Sequence, residues 1–368
     1  MAQLTFGTNH DLTLKVWGRK TLREALKQTF VGQFIGKNGD SAITTRDELG
    51  LYSGHGDTVY YPLLMLPTGD GVEGDNTLKG NEEALTYYRD SLVINQLRWA
   101  TKVNGRMSEQ RVIQDFIPDA RWAATEWWKN RVDEAWLNQI TGNTAQADTR
   151  FTGENATAAP TSLAGNTRIT YGDGTHTTEA SLSASASANV NNMLVLTNID
   201  RLVTHAETAT PKIRPFKTPR GPRFGLIVHP NSWFRLKTDS TANGITLYDY
   251  SKAVIQGGGE DRLQNPMANV AAEYNGVLIY VDNRVPLAPS TTAVRRNVFF
   301  GAQSACIAFG ESDGIDRMTW AMDKDDYDNV TGVAAGMIFG IKKTRYTIGG
   351  AARDFATIVH STYSPALT

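Results

Sequence analysis

The stretch from residue 50 to residue 103 constrains the fold more than any other part of this chain. "GDTVYYPLLMLP" (56–67) is an extended apolar run, and Pro62 inside it argues for an edge position, because proline brings no donor to a strand ladder. "TGDGVEGDNTLKGNEEAL" (68–85) is rich in Gly, Asp and Asn and resists regular packing. "SLVINQLRWATKV" (91–103) reads as a second strand. Together they make a long hairpin with a polar tip. Ten residues of strand reach about 33 Å, and a lone two-stranded ribbon of that length is marginal in water. Its apolar surface must be covered, either by the chain's own core or by another subunit. These residues alone leave both open.

The strongest helical pattern lies just downstream. Over 108–141, Ala120, Ala124, Trp128, Val132, Ala135 and Ile140 recur at helical spacing; Pro118 is expected to break or kink the run and Gly142 to stop it. Trp122, Trp127, Trp128 and Trp136, half of the 8 tryptophans, lie here and point to core packing. Upstream, Thr21 and Glu24 form a capping box that opens a short amphipathic helix over 21–36, with Leu22, Ala25, Leu26 and Phe30 on one face. The segment around it carries Lys15, Arg19, Lys20, Arg23 and Lys27 against one acid, Glu24. Such a run is either a solvated face or a surface that meets a polyanion.

Residues 143–190 turn to Thr, Ala, Ser, Gly and Asn, the composition of a loosely packed surface insertion. A helix resumes through "LTNIDRLVTHAETA" (196–209), with Ile199, Leu202 and Val203 facing inward. From 213 on, "FGLIVHP" is a strand ended by Pro230, and "NSWFRLKTD" is a helix capped by Asn231 or Ser232. "GVLIYVDNRVP", "NVFFGAQSACIAF", "MTWAMDKDD", "VAAGMIFGIKKTRYT" and "DFATIVHST" are five further strand candidates. Long helices in the middle with mixed strands around them give an α+β fold.

Composition removes several function classes. Net charge is −1, whereas a protein gripping nucleic-acid phosphates over a large surface is usually basic. No run of eighteen apolar residues is present, and the N-terminal residues lack the apolar stretch of a signal peptide, so no membrane partner and a cytoplasmic origin are expected. Cys306, the 1 cysteine, cannot form an internal disulfide and lies in an apolar run as a packing residue. "GESDG" (310–314) matches the G-x-S-x-G elbow of serine hydrolases, with Asp325 or Asp354 and then His360 downstream in the required order. The residues after Ser312 alternate like a strand and not like the helix an elbow needs, and with 33 glycines the pattern arises readily by chance. A turn is expected there. "DKDDYDN" (323–329) lacks the spacing of a calcium loop, the 6 histidines form no zinc-binding pair, and "QGGGED" (256–261) fits no phosphate-binding fingerprint. No catalytic, metal or cofactor constellation is expected.

The order of parts, together with five motifs, resembles the major capsid protein of tailed bacteriophages, the Hong Kong 97-type fold, and most of all the coat-protein family of N-four-like phages. "GDGVEGDNTLKGNEEAL" is similar to that family's extended-loop motif, a glycine-acid tip followed by L-x-G-x-E-E. "KIRPFKTPRGPRFGLIVHP" is similar to its entry into the axial domain, and "NPMANVAAEYNGVLIYVDNRVP" to its N-P…Y-N-G-V pattern. "FFGAQSACIAFG" resembles its L-G-A-Q-A segment, and "GMIFGIKKTRYT" followed by "DFATIVHST" its closing G-x-K-K…D-F strands. Asp326-Tyr327 is followed by Asp328 where the family often has glycine, and 143–190 matches no motif.

The resemblance implies an N-terminal arm (1–49), an extended loop (50–103), a peripheral domain with a long spine helix (104–219, with the polar insertion at 143–190), an axial domain (220–330) and closing strands of the peripheral domain (331–368). It implies a structural role without an active site: a tile that assembles as hexamers and pentamers into an icosahedral head around double-stranded DNA. Portal and scaffolding proteins, and a decoration protein, are the expected partners. Tyr60, Tyr61, Leu64, Asp70, Leu78, Lys79, Glu82 and Glu83 become candidate intersubunit residues, and Lys15, Arg19, Lys20, Arg23 and Lys27 a candidate lumen-facing patch. An encapsulin-type compartment shell and a serine hydrolase using Ser312 are the alternatives.

Overall fold

In the computed structural model the described residues are 29–46, 56–64, 69–85, 87–103, 105–111, 116–146, 155–163, 165–185, 192–219, 221–238, 246–247, 249, 270–289, 291–310, 318–327, 329–348 and 350–365. The capping box at Thr21, the basic stretch from Lys15 to Lys27, Ser312 and the 256–261 glycines lie outside them. Of the helix expected over 21–36, the described end is a 3-10 turn at Val31–Phe34 running into strand β1 (Ile35–Gly36).

The helical pattern at 108–141 forms two pieces, α1 (Arg106–Gln110) and α2 (Phe116–Thr141). Pro118 sits in the first turn of α2 and not inside a continuous helix, because a missing N–H there costs no intrahelical bond. Of the break or kink expected, the structure has a break, with Gln110 ending one helix and Phe116 beginning the next ahead of the proline. At the other end Gly142 takes φ +62°. Gly142 N–H donates to Gln139 O at 3.3 Å and Asn143 N–H to Asn138 O at 3.0 Å, the paired bonds of a Schellman stop. The Arg296 guanidinium adds donors to Thr141 O and Gly142 O while pairing with Glu179.

Two sheets form around α2. The first runs β1, β2 (Ile43–Arg46), β14 (Ala305–Phe309), β16 (Val330–Lys343) and β15 (Met318–Asp325), with β5 (Asn95–Lys102) on the opposite edge of β16. The second runs β11 (Ala272–Tyr274), β12 (Val277–Val281), β10 (Gly221–Val228), β13 (Val294–Phe300), β19 (Thr357–Tyr363) and β8 (Ile169–Tyr171), with β9 (Phe216–Thr218) also on β10. Strand pairing therefore crosses the boundary expected at 330. β14 and β15 join β16, whereas β19 returns to β13. The single strand expected over 297–309 is two strands in different sheets. Gly301 breaks it: a Cβ there would lie 2.3 Å from Arg214 O, and Gln303 takes a left-handed φ of 61°.

The centre of the second sheet is buried on both faces, so Phe224–Val228 of β10, Val277–Tyr280 of β12 and Val298–Phe300 of β13 are apolar without a polar alternate. Ile227, Leu278, Tyr280, Val298 and Phe300 face α2. Phe224, Leu226, Val277, Ile279 and Phe299 face α4 (Leu196–Thr208) and α5 (Pro230–Thr238). The expected cap of α5 shifts by two residues: Pro230 begins the helix, and His229 Nδ1 accepts from Asn231 N–H at 3.1 Å. Trp128 and Trp136 are buried as expected, but Trp122 is 70% exposed and is not core.

The described parts of 143–190 include a small hairpin of β6 (Ser162–Leu163) and β7 (Asn166–Thr167), as an inserted loop or hairpin leads one to expect, but the loose packing is corrected: they also supply β8 to the second sheet and α3 (Glu179–Ser185). Arg168 and Leu182 are fully buried. Some of the segment's polar groups find partners elsewhere in the chain: Arg168 Nη2 donates to Pro211 O at 2.8 Å, and the Glu179 carboxylate takes both Arg296 and Ser361.

Asp133, buried on α2, accepts from Phe30 N–H (3.1 Å), Val31 N–H (3.0 Å) and Arg284 Nη1 (2.8 Å). Burial raises its pKa, and these donors oppose that rise. Asp133→Ala orphans both backbone donors and leaves Arg284 with Asp282 alone. A loss of about 3–5 kcal/mol in urea unfolding is expected. His360, fully enclosed on β19 beside Thr170, is held down to about 4 by burial and by Arg201. The folded state refuses a proton that the unfolded chain takes below about 6.5, so stability present above that pH falls on acidification towards 4, by up to roughly 1.4 kcal/mol per pH unit. The urea midpoint of the parent should drop more between pH 7 and pH 5 than that of His360→Gln; equal drops would refute the assignment.

Candidate assembly site: the hairpin and its root

The hairpin forms as β3 (Thr58–Leu64) and β4 (Tyr87–Val93), antiparallel from Thr58↔Val93 to Leu64↔Tyr87. After Ile94 the returning strand leaves β3 and continues as β5 on β16. The second strand expected over 91–103 is thus divided between the ribbon and the body.

The two faces of the ribbon differ. Val59, Tyr61, Leu63 and Leu92 are buried against Cys306 and Ala308 of β14 and Tyr346 of β17 (Arg345–Ile348), a strand that pairs with β18 (Ala351–Asp354). The opposite face leaves Tyr60 61% and Tyr87 62% exposed. The candidate intersubunit residues therefore divide. Tyr61 is a core residue of its own chain, a correction that follows from strand alternation. Tyr60, Asp70, Leu78, Lys79, Glu82 and Glu83 are exposed, and Leu64 ends β3.

The tip is ordered by its own polar groups. Glu83 Oε2 accepts from Gly69 N–H and Glu82 Oε2 from Gly80 N–H, each at 2.7 Å. Gly80 takes φ +95°, which disfavours any side chain. The L-x-G-x-E-E motif is thus the chemistry that closes the tip, with Leu78 left outside at 61% exposure. Over the described tip 69–85, Asp70, Glu73, Asp75, Glu82 and Glu83 outnumber Lys79.

The root is a charged clamp. The Asp90 carboxylate accepts from Tyr61 OH (2.8 Å), Lys342 Nζ (2.7 Å) and Arg345 N–H (2.8 Å), and Lys342 also donates to Ser91 O (2.6 Å). Burial, then Asp90, holds Tyr61 well above the usual tyrosine range, so its hydroxyl stays a donor. The neighbouring Lys343 points the other way. It pairs with Asp354 Oδ2 at 2.9 Å, both side chains being 1% exposed. Arg345 Nε reaches Asp354 Oδ1 at 3.0 Å and Thr161 N–H donates to Asp354 Oδ2 at 3.1 Å. Burial pulls Lys343 below the ordinary lysine range, and Asp354 opposes that pull. The closing G-x-K-K…D-F motif thereby acquires a physical meaning: Lys342 holds the hairpin, and Lys343 with Asp354 ties β16, β18 and the 155–161 segment together.

Among the described residues no group of three or more His, Cys, Asp or Glu could hold a metal, and no helix is long and apolar enough to cross a membrane. The acidic run begins in the exposed end of β15, Asp323–Asp325, and continues into the turn towards β16, where Asp326, Tyr327 and Asn329 are exposed. His360 lies within β19, as its strand pattern indicates, hydrogen-bonded to Thr170. Sequence reading missed Asp90, whose only signal was an acid inside an otherwise strand-forming run. Lys342→Met should leave Asp90 with three donors, Tyr61 OH, Ser91 N–H and Arg345 N–H, but no cation, and cost about 1–3 kcal/mol. The check is hydrogen exchange, which should quicken at the 58–64 and 87–93 amides while the α2 amides stay protected.

Comparison with known proteins places this architecture. Residues 5–366 match the family described as phage capsid protein. The major capsid protein of Pseudomonas phage KPP25 is 26% identical over 377 residues, covering 95% of this chain and 94% of that protein. The capsid of Ralstonia phage GP4 superposes with a TM-score of 0.73 at 25% identity, covering 100% of this chain and 96% of that one. The Cyanophage Pam1 capsid shares the fold, with a TM-score of 0.67 at 16% identity over 92% of this chain and 93% of that one. A ribbon held at its root and open at its tip, on a body whose helix and sheets follow these shells from end to end, belongs to a building block: the chain is a member of the phage capsid protein family, with a structural role in a phage capsid.

Proposed function

We propose that the chain is the tile of an icosahedral head, that its tiles form hexamers and pentamers enclosing double-stranded DNA, and that the 69–85 tip of each lies on a neighbour. The observation that carries this reading is the division of the hairpin. Its root is covered by its own chain, whereas Leu78 and Leu85 at the tip are 61% and 58% exposed with Tyr60 and Tyr87 beside them on the ribbon. Apolar surface removed from water contributes about 25 cal/mol per Å². Many such moderate contacts, repeated around a closed shell, hold each subunit by several neighbours at once.

The second sheet with α4 and α5 is the axial domain in this reading, and α2 with the first sheet the peripheral domain. Net charge of −1 suits a wall that confines DNA without gripping it. The basic residues Lys15, Arg19, Lys20, Arg23 and Lys27 face the lumen. The tile has no enzymatic activity, works with a portal, a scaffold and a decoration protein encoded elsewhere, and assembles in the host cytoplasm before residing in the virion. An encapsulin-type compartment differs in cargo, holding enzymes in place of DNA.

Purified protein should form closed particles of one size by negative-stain microscopy. Replacing 69–85 by a short Gly-Ser linker should leave a folded, soluble chain that closes no particle. Particles from infected cells should hold nuclease-resistant DNA, in lower amount when the five basic residues are reversed to Glu. Normal particles from the tip-less chain would overturn the neighbour contact, and unchanged DNA content in the charge-reversed chain the lumenal placement.

A further inference from the structure

We propose that Asn155 sets the direction in which the hairpin leaves the body, and that this direction selects one shell geometry; the second half rests on the assembly reading above. Asn155 belongs to the 143–190 segment, which matches none of the motifs in the resemblance, yet it supplies a hold on the hairpin that no other residue duplicates in form among the described residues. Its Nδ2 donates to Val93 O at 2.7 Å, and its Oδ1 accepts from Val93 N–H at 3.0 Å. Both backbone groups of one residue meet both halves of one planar side chain. That pairing fixes position and rotation together, which a single bond does not. Only Asn and Gln carry donor and acceptor in this arrangement, and Gln is one methylene longer.

The hold is referred to the rigid part of the molecule. Asn155 is 6% exposed, and its own carbonyl accepts from Gln139 Nε2 at 2.8 Å. Gln139 lies on α2 and is 1% exposed. One residue thus joins the central helix to the hairpin. Val93 is the last residue of β4, the point at which the chain stops pairing with β3 and turns to β16. Beneath it, β16 carries Gly340, where an added Cβ would stand 2.2 Å from Val93 O and 3.3 Å from Asn155 Nδ2. The bare backbone of Gly340 lets the ribbon cross at this height, and Asn155 sets its heading.

Position at the root matters because the ribbon is a lever. Seven residues of strand reach about 23 Å, so a tilt of roughly 5° in the seat of the ribbon, taken up by small shifts of Val59, Tyr61, Leu63 and Leu92 on β14 and β17, carries its far end about 2 Å, enough to break the register of a packed contact. Asp90 with Tyr61, Lys342 and Arg345, together with the apolar inner face, holds the ribbon down, but apolar packing is non-directional and the contact to a flexible lysine tolerates rotation. The bidentate amide does not.

The experiment reads tip position and shell geometry separately. Spin labels at Lys79→Cys on the tip and Asn130→Cys on α2 report the distance between them, the native Cys306 being buried. The parent should give one narrow distance, and Asn155→Ala a broad one. Asn155→Asp, which keeps the acceptor and loses the donor, should fall with Asn155→Ala; Gly340→Ala should shift the mean distance by lifting Val93. In assembly, Asn155→Ala should lose the single-diameter population in favour of mixed diameters or open sheets. An unchanged distance distribution in Asn155→Ala overturns the positioning role. Broadened distances with shells of the parent's one diameter overturn the link to shell geometry. A parent that closes no shell overturns the assembly reading, and the distance measurement still decides Asn155.

Discussion

One helix face has to serve two sheets, and most of the structure depends on that demand. Trp128, Val132, Trp136 and Ile140 of α2 are buried in a core that includes Ile307, Met337 and Ile341 from one sheet and Ile227, Leu278 and Phe300 from the other. A stripe of small and very large residues meets both surfaces because tryptophan reaches across and alanine lets a strand approach. The rings confirm how closely the parts are fitted: Phe34 stacks on Trp136 at 5.6 Å and meets Phe300 edge-on at 5.1 Å. The segment that holds Phe30, Val31 and Phe34 is thereby part of the core, and Asp133 fastens it there.

That shared helix explains why the sheets interleave along the chain. Because α2 lies against both, a strand can leave one sheet and enter the other after a four-residue turn, as the chain does between Phe300 and Ala305. A boundary drawn by position in sequence then falls inside a sheet. The same economy leaves the hairpin at the outer face of the first sheet, gripped by β14, β16 and β17, with its tip beyond the reach of its own chain.

The hairpin shows how far sequence patterns carry. The apolar-polar-apolar succession over 56–103 announced two strands and an exposed tip, because alternation and turn chemistry are local properties. The alternation also implied two unlike faces, yet which face is covered depended on β14 and β17, some 215 to 290 residues away along the chain. Asp90 and Asn155 carry no pattern of their own. Each is one polar residue in a polar or strand-forming neighbourhood, and its meaning lies in a partner that only folding supplies. The segment around Asn155 misled for the same reason. A segment with few large apolar groups reads as surface, unless groups elsewhere in the chain, such as Arg296 on Glu179, pair with its polar side chains and let them be buried.

By itself the sequence determined the class of the fold, the long helix and its Gly142 stop, the buried strands of the second sheet, and, through five motifs in order, the family. These rest on periodicity, backbone preference and short-range spacing, all written within a few residues. Tertiary structure alone decided the sheet membership of β14, β15 and β19, the inward placement of Tyr61, and the clamp of Asp90, Lys342 and Asn155. Those depend on which distant backbone comes to lie beside a side chain, and a hydrogen bond across 62 or 252 residues leaves no trace in either neighbourhood.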